Sequence, residues 1–222
     1  MFSYGGACNV LSNINLTIAK GERVGFIGNT GSGKSTLVDV IMGLLPPTDG
    51  DLVIDGEVVS YEQIGNWKAQ IAHVPQAIFL SDDSIAANIA FGVPDAKQDP
   101  QRVRSAAYEA GLSEFVVDLP DGLATNVGER GIRLSGGQRQ RIGIARALYK
   151  RATVLVLDGA TSALDDETEA GVMRSVARLD KDLTVILVSH RLSTLANCDR
   201  VYKLTGGRIV DQGSFVEVTG KT

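Results

Sequence analysis

The sequence predicts an α/β fold: a mostly parallel sheet between layers of helices, an N-terminal antiparallel β part and an inserted α-helical subdomain. Three observations predict it. Residues 154–157 and 183–188 are continuous apolar runs of strand length, as strands buried on both faces of a parallel sheet require. A glycine-rich segment, residues 28–35, stands between a short apolar run and a helical pattern. From residue 76 to about 134, short helical patterns punctuated by Gly and Pro replace strands.

Taken in order, residues 10–18 alternate Leu11, Ile14, Leu16 and Ile18 loosely with polar residues. Lys20-Gly21-Glu22 then turns into residues 23–27, so two strands joined by a turn are expected. Residues 35–45 carry Leu37, Val40, Ile41 and Leu44 at helical spacing and stop at Pro46-Pro47. Residues 50–60 read as two short strands around Asp55-Gly56, a dipeptide suited to the left-handed angles of a tight hairpin turn. A strand over 71–74 stops at Pro75, and helical patterns occupy 84–90 and 100–111. Residues 136–150 form a long helix striped by Ile142, Ile144, Ala145 and Leu148. The division that follows is a core of residues 1–75 and 139–222, interrupted by a helical subdomain of residues 76–138.

Composition narrows the function. The chain is 222 residues long, 44% hydrophobic and 22% charged, enough for one sizeable core and unlike a disordered segment. With 22 basic and 26 acidic residues its net charge is −4, and no basic tract is present, so no nucleic-acid partner is expected. No apolar stretch approaches the roughly 20 residues of a membrane helix. No charged and apolar leader opens the sequence, so no signal peptide is readable. Cys8 and Cys198 show no C-x-x-C spacing, which points away from metal and redox roles and toward a reducing compartment.

The chemistry sits in two glycine-rich turns. Gly28-Asn29-Thr30-Gly31-Ser32-Gly33-Lys34-Ser35 fills the pattern G-x-x-x-x-G-K-[ST] in full, between a strand and a helix. A polyphosphate needs many N–H donors at close range, which glycine-rich backbone and a helix N-terminus supply. Lys34 would reach the β and γ phosphates, Ser35 would ligate magnesium, and Thr36 would hold the α-phosphate region. Asp158 ends an apolar strand, where its carboxylate can reach the magnesium shell. Leu134-Ser135-Gly136-Gly137-Gln138 opens the next long helix and forms a second anion-binding turn.

The phosphate loop, Gln76, residues 134–138, Asp158, the segment Ser162-Ala163-Leu164-Asp165 and His190 follow one another in the order and approximate spacing of the ATP-binding cassette ATPases. The chain resembles that family over essentially its whole length. The resemblance implies a P-loop nucleotidase core that binds ATP with Mg2+, and pairing with a second nucleotide-binding domain head to tail. Ser135 and Gly137 of one subunit would then contact the γ phosphate held by the other, with Leu134, Gly136 and Gln138 around them and Asp165 at the contact. It further implies that Tyr4 stacks on adenine, with Phe2 as the neighbouring alternative. Gln76 would touch magnesium and report nucleotide state to a transport domain, and His190 would bond the γ phosphate. Residues 125–131, with Glu129 and Arg130, resemble the segment by which exporters contact the coupling helices of their transmembrane domain. Residues 84–92 resemble exporters of lipid-linked saccharides. The implied location is the cytoplasmic face of a membrane. A soluble cassette protein of DNA repair or translation is disfavoured by the acidic balance.

One position departs from the pattern. Gly159 follows Asp158 where the family carries a glutamate that polarises the attacking water. A general base contributes about 10² to 10⁴ in rate, and glycine cannot supply it. The expectation is Mg-ATP binding, an accumulating ATP-bound dimer and very slow turnover. Three explanations stay open: an altered homodimeric exporter, the degenerate half of a heterodimer, and a sequence artefact. A regulatory domain that binds ATP without hydrolysing it is the alternative function.

Overall fold

Strand periodicity divides the side chains of one sheet between two cores. In the computed structural model, which describes residues 1–3, 9–160 and 164–220, that sheet has six strands. The chain enters through an antiparallel pair, β1 (Phe2–Ser3) and β2 (Asn9–Leu11). It continues into β3 (Arg23–Ile27) and α1 (Lys34–Ile41). A hairpin, β4 (Val53–Ile54) and β5 (Glu57–Val58), leads to α2 (Ile64–Gln70) and β6 (Ile71–Pro75). Three helices follow, α3 (Ile85–Ile89), α4 (Pro100–Glu109) and α5 (Ser113–Val117). The long α6 (Gly136–Lys150) returns the chain to β7 (Val154–Asp158), α7 (Asp166–Ala177) and β8 (Thr184–Val188). Helix α8 (Leu192–Leu195), the hairpin of β9 (Arg200–Thr205) and β10 (Arg208–Gly213), and α9 (Phe215–Thr219) complete the described chain.

The sheet order is β10-β9-β3-β8-β7-β6, parallel throughout except for β10. Leu155, Leu157, Val185 and Leu187 pack with Ile142, Ile144, Val172 and Val176 of α6 and α7, and with α3 and α4. The alternate residues Val154, Val156, Ile186 and Val188 pack with Leu37 and Val38 of α1 and with Phe2 and Leu11. Successive strand side chains point to opposite faces, so an unbroken apolar run is what a sheet covered on both sides needs. The α/β class, the mostly parallel sheet and the small antiparallel ladders are those the sequence predicts. Among the described residues no helix is long and apolar enough to cross a membrane.

The expected strand over residues 10–18 is not formed. Only β2 pairs as a strand there, and Asn13, two residues past its end, takes a left-handed φ of 51°. Beyond it, Ser12 N–H donates to Gly207 O and the Tyr202 hydroxyl donates to Thr17 O, so tertiary partners replace a ladder. Helix α1 stops at Ile41, short of residue 45, because Gly43 turns at φ 70° and the N–H groups of Leu44 and Leu45 fold back onto Asp39 O.

Helix α6 ties residues 79–91 to the core. Burial lowers the Arg146 pKa to about 10, and the guanidinium spends its donors on Asn88 O (2.6 Å), Phe79 O (2.8 Å) and Asn88 Oδ1 (3.0 Å). The fully buried Asn88 also accepts from Ser81 N and donates to the carbonyls of Ser81 and Ser84. Asn88→Ala removes one of the three Arg146 bonds and takes the side-chain partner from Ser81 N–H and from the carbonyls of Ser81 and Ser84 at once. It should cost about 3 kcal/mol, read as a lowered urea midpoint with an unchanged slope.

Candidate nucleotide-binding site

The loop between β3 and α1 is shaped by close backbone approach. A Cβ at Gly28 would lie 2.3 Å from Leu204 O and 2.6 Å from Ser32 Oγ, so only glycine lets the loop leave the sheet here. Gly33 caps α1 at φ 98°, and no side chain caps that helix. The first-turn N–H groups of α1 therefore remain for an external acceptor, where the helix dipole favours an anion. At Gly31 a Cβ would meet nothing within 4 Å, so its backbone is open to the adjoining cavity. Lys34 curls over the loop, donating to Gly28 O (2.7 Å), Asn29 O (3.0 Å) and Ser32 Oγ (3.4 Å). Burial lowers the Lys34 pKa and the nearby Asp158 carboxylate partly restores it. A buried cation above unpaired N–H groups is a fit for phosphate.

Strand register brings the remaining groups to this loop. Pro75 pairs with Asp158, Asp158 with Val188, and Val188 with Phe26, placing four strand ends in one row. A cavity of about 680 Å3 opens beyond that row, lined by Thr30, Gly31, Gly33, Lys34, Ser35 and Thr36 together with Gln76, Asp158, Gly159 and His190. Ser35 hydroxyl, Gln76 amide and Asp158 carboxylate are hard oxygen donors, a set suited to Mg2+ completed by phosphate oxygens and water. The Gln140 amide of α6 donates to Gln76 O (3.1 Å), which holds the start of the 76–80 segment. Gly159 adopts φ 62°, and its N–H donates to Val188 O (2.9 Å).

Other expected site residues lie away from this cavity. Leu134, Ser135, Gly136, Gly137 and Gln138 form the start of α6, closed by a reciprocal capping box between Ser135 and Gln138. A Cβ at Gly137 would fall 2.2 Å from Thr168 Cγ2, so the turn packs directly on α7. Asp165 caps α7, accepting from Thr168 N (2.9 Å) and Thr168 Oγ1 (2.7 Å), and those bonds lower its pKa. Glu129 and Arg130 are exposed in a short 3-10 turn, with Arg130 at φ 53°. Tyr4 lies outside the described residues.

Sequence reasoning missed two features that shape the site. The β9–β10 turn presents Gly207, whose N–H donates to Ser32 O (3.0 Å) and backs the phosphate loop; the Gly206-Gly207 dipeptide was the available signal. Glu169 of α7 is buried beside the segment after His190. It accepts from Arg191 (2.5 Å), from Ser193 (3.3 Å) and from Thr194. Burial pushes its pKa up, but the Thr194 and Arg191 bonds and the Arg191 charge outweigh that and hold it below the ordinary value of 4.5. No sequence signal marks a lone glutamate on a helix as the end of such a network.

The chain is similar to known proteins over nearly its whole length. A family model described as ABC transporter matches residues 11–162. The chain is 45% identical over 222 residues to an ATP-dependent lipid A-core flippase of Cupriavidus metallidurans, covering 99% of this chain and 37% of that protein. It is 42% identical to the heterocyst differentiation ATP-binding protein HepA of Nostoc, covering 98% of this chain and 35% of that protein. The solved structure of a bacterial Atm1-family ABC exporter with ATP bound matches with a TM-score of 0.87 at 36% identity, over 98% of this chain and 38% of that one. The chain thus spans little more than a third of the curated relatives it matches.

Because the folded-state pKa of Glu169 is depressed, its carboxylate stabilises the fold above the ordinary value of 4.5, and the contribution is lost as pH falls through the folded pKa. The urea stability gap between the parent chain and Glu169→Gln should be full at neutral pH and close below pH 4.5. A gap of constant size across that window would contradict the assignment.

Proposed function

The chain belongs to the ABC transporter family, and from that membership we propose that it is the ATP-binding and ATP-hydrolysing motor domain of an exporter. The observation that carries this reading is the single cavity shared by the phosphate loop, Asp158, Gln76 and His190. Lys34 and the first turn of α1 neutralise the β and γ phosphates of ATP. Ser35, Gln76 and Asp158 would hold Mg2+, which would supply charge neutralisation for the bound phosphates. His190 lines the same cavity and would bond the γ phosphate.

In this reading residues 1–75 and 139–222 form the ATP-binding core and residues 76–138 the helical subdomain. A second nucleotide-binding domain completes each site in trans through Ser135 and Gly137, with Asp165 at the contact. Glu129 and Arg130 meet a transmembrane domain, and the pair works at the cytoplasmic face of a membrane. The names of the relatives, with the 45% identity to a lipid A-core flippase, support a glycolipid as the cargo of the whole transporter. ATP closes the pair and hydrolysis resets it.

Gly159 favours a second reading, a silent or degenerate site that binds ATP and relies on a competent partner. No side chain at 159 can take a proton from water, so reset is slow. Its φ of 62° suits glycine, and a glutamate held there would cost roughly 1–2 kcal/mol.

Steady-state ATP turnover of the parent and of Gly159→Glu, at concentrations that favour dimers, separates the readings. A rise of about 10² in the variant, with roughly 1 kcal/mol lower stability, supports a complete site lacking only its base. An unchanged rate supports the silent reading. With saturating Mg-ATP the parent should accumulate as a dimer in sedimentation; persistence as a monomer would sink the motor-domain reading for the isolated chain.

A further inference from the structure

His190 stands between two anchored neighbours. On one side Ser189 N–H reaches Phe26 O (3.4 Å) and the Ser189 hydroxyl accepts from Arg191 N (2.9 Å). On the other side the Arg191 guanidinium bonds Asp166 (3.1 Å) and Glu169 (2.5 Å). Thr194 closes the loop, its hydroxyl donating to Glu169 while lying 3.2 Å from Ser189 Oγ. Ser193 adds a third donor to the same carboxylate. Three of the five residues from 190 to 194 therefore converge on a carboxylate that is 3% exposed. Charge-assisted bonds shielded from water are strong and hold narrow geometries.

Glu169 is also joined to the opposite end of the molecule's chemistry. Its backbone N–H donates to Asp165 O (2.9 Å) in the first turn of α7. That turn packs on the start of α6 without a side chain between them: a Cβ at Gly137 would lie 2.2 Å from Thr168 Cγ2, and one at Gly136 would lie 3.0 Å from Leu164 Cδ2. Helix α6 cannot approach α7 here without displacing Thr168, one residue before Glu169. The first turn of α7 is thus wedged between residues 134–138 and the loop that carries His190.

We propose that Glu169 is the positioning residue of His190, and that the first turn of α7 couples residues 134–138, which serve the partner's nucleotide, to the imidazole that serves the chain's own. This rests on the reading of His190 as a contact of bound ATP. The coupling needs no new element, because a fraction of an ångström at Gly137 moves Thr168, and the Glu169 carboxylate carries the displacement to Arg191 and Thr194. Close-packed contacts transmit such shifts rather than absorb them.

The test uses the two histidines of the chain, His73 and His190, whose imidazole resonances separate in a nitrogen-edited spectrum and are assigned by His73→Gln. Mg-ATP should shift the His190 signals of the parent. In Glu169→Gln that shift should fall by at least about threefold, while the ATP Kd stays within about twofold and His73 is unmoved. Arg191→Ala removes the same clamp from its half-exposed side and should give the same loss, so the test stands if Glu169→Gln does not fold. Gly137→Ala should move the His190 signals even without nucleotide. A full His190 response in both clamp variants overturns the proposal. If ATP binds the parent and its His190 does not respond, the reading of His190 as an ATP contact falls and takes the proposal with it.

Discussion

The register of four parallel strands is the constraint on which the site depends. Pro75, Asp158, Val188 and Phe26 lie in one row across β6, β7, β8 and β3, so Gln76, Gly159 and His190, just beyond the first three, and the phosphate loop that follows β3 open onto a common cavity. A slip of one residue in any strand would turn its apolar set from one core to the other and carry its functional residue away from the rest. The two cores enforce the register: Leu155 and Leu157 belong to one, Val154 and Val156 to the other, and none tolerates exchange. Hydrophobic burial thereby positions polar chemistry that it does not touch. The cavity lies at the carboxyl ends of the strands, where open α/β sheets bind ligands.

Backbone geometry does at this cavity what side chains do elsewhere. Gly28 passes so near Leu204 O that a methyl group is excluded, and Gly33 starts α1 without a capping side chain. The cost is a set of unsatisfied N–H groups and a lysine drawn into partial burial, its charge supported by Asp158. Both features are unfavourable in an isolated fold and favourable once a polyanion is present, which is how a binding site differs from a well-satisfied core.

The legible parts of the chain were those governed by short range. The phosphate loop, α6, the Asp55-Gly56 hairpin and the buried strands β7 and β8 are local patterns, and each formed where the pattern lies. Residues 10–18 carry an equally plausible alternation, yet Asn13 turns left-handed and the segment is held by Tyr202 and Gly207, nearly 200 residues away in sequence. The Glu169 cluster is invisible for the same reason. Its donors come from a loop more than 20 residues downstream, and a glutamate in a helix otherwise reads as solvated.

The amino-acid sequence by itself determined the family, the phosphate-binding loop and the absence of a carboxylate at position 159, because these depend on residue identity and spacing within a few residues. Only the tertiary structure decided that Gly159 sits at a left-handed φ, that Gly137 abuts Thr168 without room for a methyl group, and that the loop of His190 is clamped to Glu169. Those facts arise where separate elements meet. They depend on distances of a few tenths of an ångström set by close packing, which no local pattern in the sequence encodes.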